Sequence, residues 1–503
     1  MRGDLGEVGR LKQLLDQFSD ATGLRINYHK STAVPIHMSK DNIPACIAAL
    51  GCRRDGFPQT YLGLPLSCEK LRLSAFDPYI SRADRHLAGW QASFLNPMGR
   101  AVLINSVLDG QLAYLMSALI LPLGVVRQID KRRRSFLWTG EGESNGSNCL
   151  VAWDKVRSSR DQGGLGIRDL EVQNTCLLLK LLHRLHTGSQ SSWANWIREH
   201  VCLANLEGDI QGNHWELMRE MLPLYQAITT VELGDGKSTA FWHDVWTGEE
   251  SIAERFPALY SHYMLPNQPV HLIVAEGLRC HLVPRLTAEA ILELATVNEL
   301  LSRVVLTDNR DGRNSAFAME NGTLHTSGLY KMIKSSRDPL DPSTGTFLCS
   351  CAPPRVQFFA WLLMHGRLQS KSNLFRKKIV ADPTCDLCHS SPETAEHLIF
   401  QCPFAASFWL HLGFSICPDA SICDLRSLGR PASLPSAHFD TFVLLCYWQL
   451  WKRRNGIVFC QEDMPLAHLL QMCKLEARAW SCRLPRDDVV VSDQWCSVFS
   501  LAI

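Results

Sequence analysis

Cys385, Cys388, His397 and Cys402 constrain the back half of this chain more than any other feature, because they read C-x2-C-x8-H-x4-C. Those spacings suit a closed tetrahedral zinc site. Two cysteines two apart can clasp an ion from one tight turn, and Pro383-Thr384 leads into that turn. His397 and Cys402 stand five apart, about one and a half turns if the segment is helical. Zn2+ favours thiolate sulfur and imidazole nitrogen, and four protein ligands leave no position for a reactive water. The expected ion is therefore structural. Chance among 19 cysteines supplies a close pair, but not readily the His and third Cys that follow between apolar runs. His389 is set aside, since a neighbour of Cys388 seldom reaches the same ion with good geometry.

At 503 residues, about two to four domains can each bury a core. Apolar residues make up 46% and charged residues 20%, which excludes a disordered class. A net charge of +1 gives no global basic field, so any nucleic-acid surface must be local. The cysteines form no dense secreted-type framework, which points to a reducing compartment, nucleus or cytoplasm. Met1-Arg2-Gly3-Asp4 is polar, so no signal peptide is expected. The apolar run 112–126 contains Pro122 and Gly124 and is too short for a bilayer. It predicts a buried core helix, and no membrane partner.

The predicted class is mainly α with small β elements, α+β. Leu11, Leu14, Leu15 and Phe18 make an amphipathic stripe that Gly23 can end. The alternation over 24–28 predicts a half-buried strand, and Tyr61-Leu62-Gly63-Leu64-Pro65-Leu66 a strand-turn element. Residues 72–91 read as a helix with Ile80, Ala83, Leu87 and Trp90 on one face. Asn96-Pro97-Met98-Gly99-Arg100 reads as a turn before a second helix through Val102, Leu103, Asn105, Ser106 and Leu108. Arg127, Lys131, Arg132, Arg133 and Arg134 form the densest basic run, beside Phe136 and Trp138. That run is either a solvated helix face or a phosphate-tracking face with aromatics for base stacking.

Gly163-Gly164-Leu165-Gly166 lacks the spacing of a dinucleotide loop and reads as a turn between helices. From Asp169 a Leu-rich helix follows, and Lys180, His183, Arg184 and His186 offer a second candidate phosphate face. A boundary is placed at 188–192. Val231 to Trp242, with Asp235-Gly236 in the turn, predicts a β-hairpin, and Trp242, Asp244 and Trp246 a core cluster. Phe358, Phe359, Trp361, Leu362 and Leu363 predict a packed helix. Arg367, Lys371, Arg376, Lys377 and Lys378 form a basic surface before the zinc cysteines. After Cys402 the apolar face resumes at Phe404, Phe408, Trp409 and Leu412. A linker at 431–436 precedes a last helix with Trp448, Trp451, Lys452, Arg453 and Arg454, and the final residues read as peripheral.

The zinc stretch, together with Val356-Gln357-Phe358-Phe359-Ala360-Trp361-Leu362-Leu363-Met364-His365-Gly366-Arg367-Leu368, resembles the zinc-binding domain of plant LINE-type (non-LTR) retrotransposon reverse transcriptases. Gly23-Leu24-Arg25-Ile26-Asn27-Tyr28-His29-Lys30-Ser31 is similar to the palm segment beyond the polymerase active site, and Tyr61-Leu62-Gly63-Leu64-Pro65 to the primer grip. Trp90 with Asn96-Pro97-Met98-Gly99-Arg100 resembles the thumb, and Gly163-Gly164-Leu165-Gly166 the connection beyond it. Phe241-Trp242-His243-Asp244-Val245-Trp246 and Trp451-Lys452-Arg453-Arg454-Asn455 resemble later landmarks of the family. The resemblance implies a palm remnant over 1–70, a helical thumb and connection over 71–190, and a connector with the β-hairpin over 191–320. A zinc-binding domain over 321–415 and a helical tail over 416–503 complete it.

The resemblance also implies RNA or DNA as partner, with Lys30, Arg100, Lys131, Arg132, Arg133, Arg134, Lys180, Arg184, Arg376, Lys377 and Lys378 as candidate contacts. Family polymerases hold two Mg2+ ions through an early Asp and a Tyr/Phe-Ala-Asp-Asp motif, and this sequence contains no such motif. Asp487-Asp488 lies between Pro485-Arg486 and a Val run, in the wrong context. The expectation is a truncated, zinc-binding product of a reverse transcriptase with no catalytic residue and no Mg2+ site of its own. Two alternatives stand beside it: a zinc-stabilised protein-interaction module, and a polymerase completed by upstream sequence.

Overall fold

Helices carry almost the whole architecture, because the sequence offers many amphipathic stretches and few runs long enough to build a sheet. The computed structural model describes residues 4–87, 94–140, 148–188, 191–265, 267–337, 347–417, 420–422 and 428–503. The predicted positions Trp90 and Gln91 lie outside them, as do 189–190 of the expected boundary. The protein is mainly α with four two-stranded ribbons among the described residues. It divides into two units, Met1–Tyr79 and Ile80–Ile503.

In the first unit, the Leu5–Thr22 helix starts where the Asp4 carboxylate accepts from the Gly6 N–H, and ends at left-handed Gly23. It packs through Val8 against the Ile43–Leu50 helix. Leu14 and Phe18, predicted on the buried stripe, are exposed. The strand predicted over 24–28 does not form. No described strand pairs with that segment, and Tyr28 instead turns back, its hydroxyl donating to Asp16 while Lys12 sits over its ring. The sheet pairing lies further on, with Thr32–Ala33 parallel to Arg53–Arg54. The element at 61–66 is the predicted strand-turn, with Gln59–Tyr61 paired to Leu64–Leu66. Its turn residues Leu62 and Gly63 both have positive φ, as a two-residue hairpin needs.

In the second unit, Asn96 is a helix cap rather than part of a free turn. Its Oδ1 accepts from the Gly99 N–H and Pro97 occupies the first helical position, where a missing N–H costs nothing. The helix runs through a π turn at Ile104–Leu108 into Asp109–Ala118. Pro97–Ala118 is long and apolar enough, by length and composition, to cross a membrane. Here Ile104, Leu108, Leu112, Leu115 and Met116 are buried in the protein, and Asp109 pairs with Arg133. The apolar run 112–126 is thus not one helix, because Pro122 breaks it and starts the Leu123–Thr139 helix.

The Gly-rich stretch is a turn between helices, as expected. Gly164 passes so close to the Ser158 carbonyl that a Cβ would lie 2.0 Å from its oxygen. Asp169 then caps the Leu170–His186 helix, accepting from the Glu171 and Val172 N–H groups.

The predicted hairpin between Val231 and Trp242 is replaced by a longer-range pairing, Thr230–Glu232 with Gly312–Asn314. The Asp311 carboxylate is the reason. It accepts from the N–H groups of Gly234, Gly236 and Ser238 and from the Ser238 and Thr239 hydroxyls, which wraps the loop around it. The next residue but one, Arg313, pairs bidentately with Asp244, both side chains fully enclosed. Trp242 is buried beside them, as expected.

The Pro354–Met364 helix is apolar on two faces because it serves two cores. Trp361 and Phe358 pack toward Trp138 and the Gly163 turn, with the Trp361 indole donating to the Gly163 carbonyl. Phe359 and Leu363 face a second core. That core also takes in the Phe439–Cys460, Leu466–Trp480 and Val490–Ala502 helices, with Trp480, Trp495 and Phe499 buried. The helix bearing Trp448 is therefore not the last, and the C-terminal residues are not peripheral. Read singly, their short apolar stripes gave no sign that they complete one core with the Cys385 loop.

Candidate metal centre

The loop bearing Cys385 and Cys388 is a tight knuckle. Thr384 bridges to Pro392, the Cys385 N–H donates to the Ser391 carbonyl, and the His389 N–H closes back on the Cys385 carbonyl. His389 takes φ +54, the left-handed conformation this closure demands, so its role is in the turn. Thr394 caps the following helix by accepting from the His397 N–H. The segment His397–Gln401 is π-helical, and the Cys402 N–H donates to the His397 carbonyl at 2.7 Å. This i to i+5 bond explains the five-residue spacing, because it stacks His397 and Cys402 on one side.

The four donor atoms lie within 4.8 Å of one another. Zinc–sulfur bonds of about 2.3 Å put tetrahedral sulfurs about 3.8 Å apart, so a small contraction closes the cage. Cys385, His397 and Cys402 are buried and Cys388 is half-buried. His397 Nε2 faces Cys388 Sγ at 3.3 Å. A hydrogen bond between the Cys385 and Cys402 sulfurs pushes the Cys385 thiol up and brings Cys402 down. Burial lowers His397, which favours the neutral imidazole that a metal requires. Three soft sulfurs and one neutral nitrogen, enclosed together, fit Zn2+.

Two residues that the sequence reading did not assign to the site hold it in place. Glu393, fully buried between Cys388 and His397, accepts from the Lys371 N–H and pairs with Arg454 at 2.7 Å. The pair ties the ligand loop to the Phe439–Cys460 helix. Arg454 stood four residues after Leu450 and seven after Tyr447, on the apolar face, which was the available signal for a buried cation. Arg453 lies over the Phe404 ring at 3.4 Å, beside the Cys402 turn. Lys371 pairs with Asp386 inside the knuckle, so it is structural rather than a free basic surface.

The predicted phosphate contacts divide sharply. Arg133 is enclosed, bonded to Asp109, Asp130 and the Arg168 carbonyl, and cannot meet a phosphate. Arg132 pairs with Asp84. Arg100 donates to the Leu137 carbonyl and lies against Gly140, at the end of the Leu123–Thr139 helix. Phe136 is buried and Trp138 packs on Phe358 and Trp361, so neither is free to stack on a base. His183 bonds to Tyr225, and His186 is enclosed and held neutral by burial and the cations around it. Lys180 and Arg134 are half-buried, while Lys131 and Arg184 are exposed on separate helices. Lys30 is exposed in a turn of the first unit. Arg376, Lys377 and Lys378 are all exposed, beside exposed Phe375, at the end of the Lys371–Arg376 helix.

Two similarities to known proteins follow the same outline. In an alignment 430 positions long that covers 79% of this chain, it is 24% identical to an Arabidopsis thaliana protein named as a ribonuclease H protein. It spans 66% of that relative's own length. Residues 325–409, which contain all four donors, match the family described as zinc-binding in reverse transcriptase. The match and the enclosed Cys3His cluster together support a retrotransposon-related protein with a zinc-binding region.

Proposed function

We propose that this chain is the thumb, connection and zinc-binding part of a plant LINE-type (non-LTR) reverse transcriptase, and that it binds single-stranded RNA or DNA. The observation that carries the reading is the closed Cys3His cluster lying inside the matched segment. Its Zn2+ is structural, because four protein donors fill a tetrahedral shell, and Glu393 ties the loop that carries them to buried Arg454. The exposed run Arg376-Lys377-Lys378 supplies phosphate contacts, and Phe375 beside it supplies a ring for a base. Lys131, Arg184 and Lys30 are the further exposed contacts. The chain does not polymerise by itself in this reading, because two-metal phosphoryl transfer needs clustered carboxylates and the acidic motif is not in the sequence. The setting is intracellular, nucleus or cytoplasm.

Elemental analysis of purified protein should find one zinc per chain, and its absence would end the metal assignment. Filter binding of single-stranded RNA across a salt series should give a clear negative slope. Replacing Arg376, Lys377 and Lys378 by Ala should flatten that slope by about 2, at roughly 0.7 per phosphate contact. Salt-insensitive retention would overturn the nucleic-acid reading, and template-dependent primer extension with Mg2+ would overturn the non-polymerising one.

A further inference from the structure

Away from the metal loop, the residue before the Phe439–Cys460 helix joins two distant segments through its side chain. His438 Nδ1 lies 3.7 Å from Cys351 Sγ, and His438 Nε2 lies 2.9 Å from Asp488 Oδ2. The order is thiol, imidazole, carboxylate, with each ring nitrogen serving one partner. That is the arrangement in which a base can take a thiol proton while the carboxylate fixes its tautomer. The three sit 87 and 50 residues apart in sequence, so only tertiary folding brings them together.

The surroundings hold this geometry. His438 keeps φ +54 and ψ 31, a left-handed backbone conformation unusual for a residue other than Gly or Asn, which aims the ring. Cys351 is fixed on both sides of its backbone. Its N–H donates to Thr441 Oγ1 at 3.2 Å, and its carbonyl accepts from Arg483 Nε at 3.0 Å. Cys351 is half-buried and the Asp488 side chain is 42% exposed, so the three residues lie at the protein surface.

We propose that Cys351, His438 and Asp488 form a nucleophilic thiol site that takes small α,β-unsaturated carbonyl compounds. Cys351 sulfur bonds to the β-carbon as its proton passes to His438 Nδ1. The displaced π electrons move to the carbonyl, and the resulting enolate recovers the proton from His438 at its α-carbon. One S–C bond and one C–H bond form, one S–H bond and one C=C π bond break, and no oxidant or leaving group is needed. His438 is needed as the base because the thiol does not ionise easily alone. Burial, Asp440 and Asp488 push Cys351 up, and Arg483 pulls it down only in part.

Acrylamide is the probe, with modification of each cysteine in the zinc-loaded chain followed by peptide mass spectrometry. The more exposed Cys349, Cys417, Cys460 and Cys482 are internal controls. Cys351 should react about tenfold faster than these controls. Asp488→Asn, at a partly exposed position, should slow Cys351 alone. His438→Gly keeps the left-handed backbone; it should bring Cys351 to the control rate or below, and added imidazole should restore it without altering Cys482. The proposal is overturned if wild-type Cys351 reacts no faster than the controls. It is also overturned if both variants leave its rate unchanged, or if imidazole speeds all the cysteines equally.

Discussion

Arg454→Met removes one partner from the ion pair that anchors the metal loop. The two side chains are 3% and 0% exposed, so solvent cannot replace what is lost. The variant leaves the Glu393 carboxylate buried with the Lys371 N–H as its remaining neighbour from that set. Breaking a buried pair this way costs about 3–5 kcal/mol. At about 2–4 °C per kcal/mol for a domain of this size, the apparent Tm of the zinc-bearing core should fall by about 6–20 °C. Urea unfolding of the zinc-loaded protein, read by tryptophan fluorescence, measures the free energy directly. Glu393 lies between two ligands, so part of the loss should appear as weaker zinc retention, each 1.4 kcal/mol giving about tenfold. The double variant Glu393→Leu/Arg454→Met removes both charges and should recover most of the single-variant loss. A single-variant cost below about 1 kcal/mol, or a double variant as costly as the two singles summed, would refute the buried-anchor reasoning.

Cys385→Ser should release the metal and raise hydrogen exchange throughout the core that runs from Phe347 to Ala502, while the Leu123–Thr139 helix stays protected. Equal loss across both would contradict separate stabilisation of the two regions. Asp311 carries a pH signature. Burial pushes its carboxyl up, but the Thr239, Gly234, Gly236 and Ser238 donors outweigh this and hold it below the ordinary range. A folded value below the unfolded one gives stability that is whole above the unfolded pKa of about 3.9 and lost as pH falls through the folded value. Asp311→Asn should flatten that acid limb, and an unchanged profile of Tm against pH would count against it. Gly164→Ala drives a Cβ into the Ser158 carbonyl at 2.0 Å, and rigid backbone on both sides should make it cost about 3 kcal/mol or more in denaturant unfolding.

Much of the local structure was legible because it rests on local chemistry. Gly23 ends its helix by taking the left-handed conformation, and Asp169 starts the next long one by accepting from its first N–H groups. The four metal donors declared themselves through residue type and spacing, since few other uses require three thiols and an imidazole so close. The failures share a different cause. The 24–28 strand and the 231–242 hairpin had the right alternation, but a strand exists only where a partner strand is supplied. In the second case Asp311, far along the chain, collected the loop's donors instead.

The basic run shows the same limit in charges. Lys131 and Arg133 look alike in sequence, yet one faces solvent and the other is locked between Asp109 and Asp130. Sequence alone determined which residues could hold a metal, where many helices begin and end, and that the chain is mainly helical, because those follow from donor chemistry and neighbouring backbone groups. Tertiary structure alone decided which cations are buried, that the last two helices complete the metal-bearing core, and that Cys351 meets His438. Each of those depends on surfaces brought together across long stretches of chain, where burial and desolvation, rather than residue type, set the outcome.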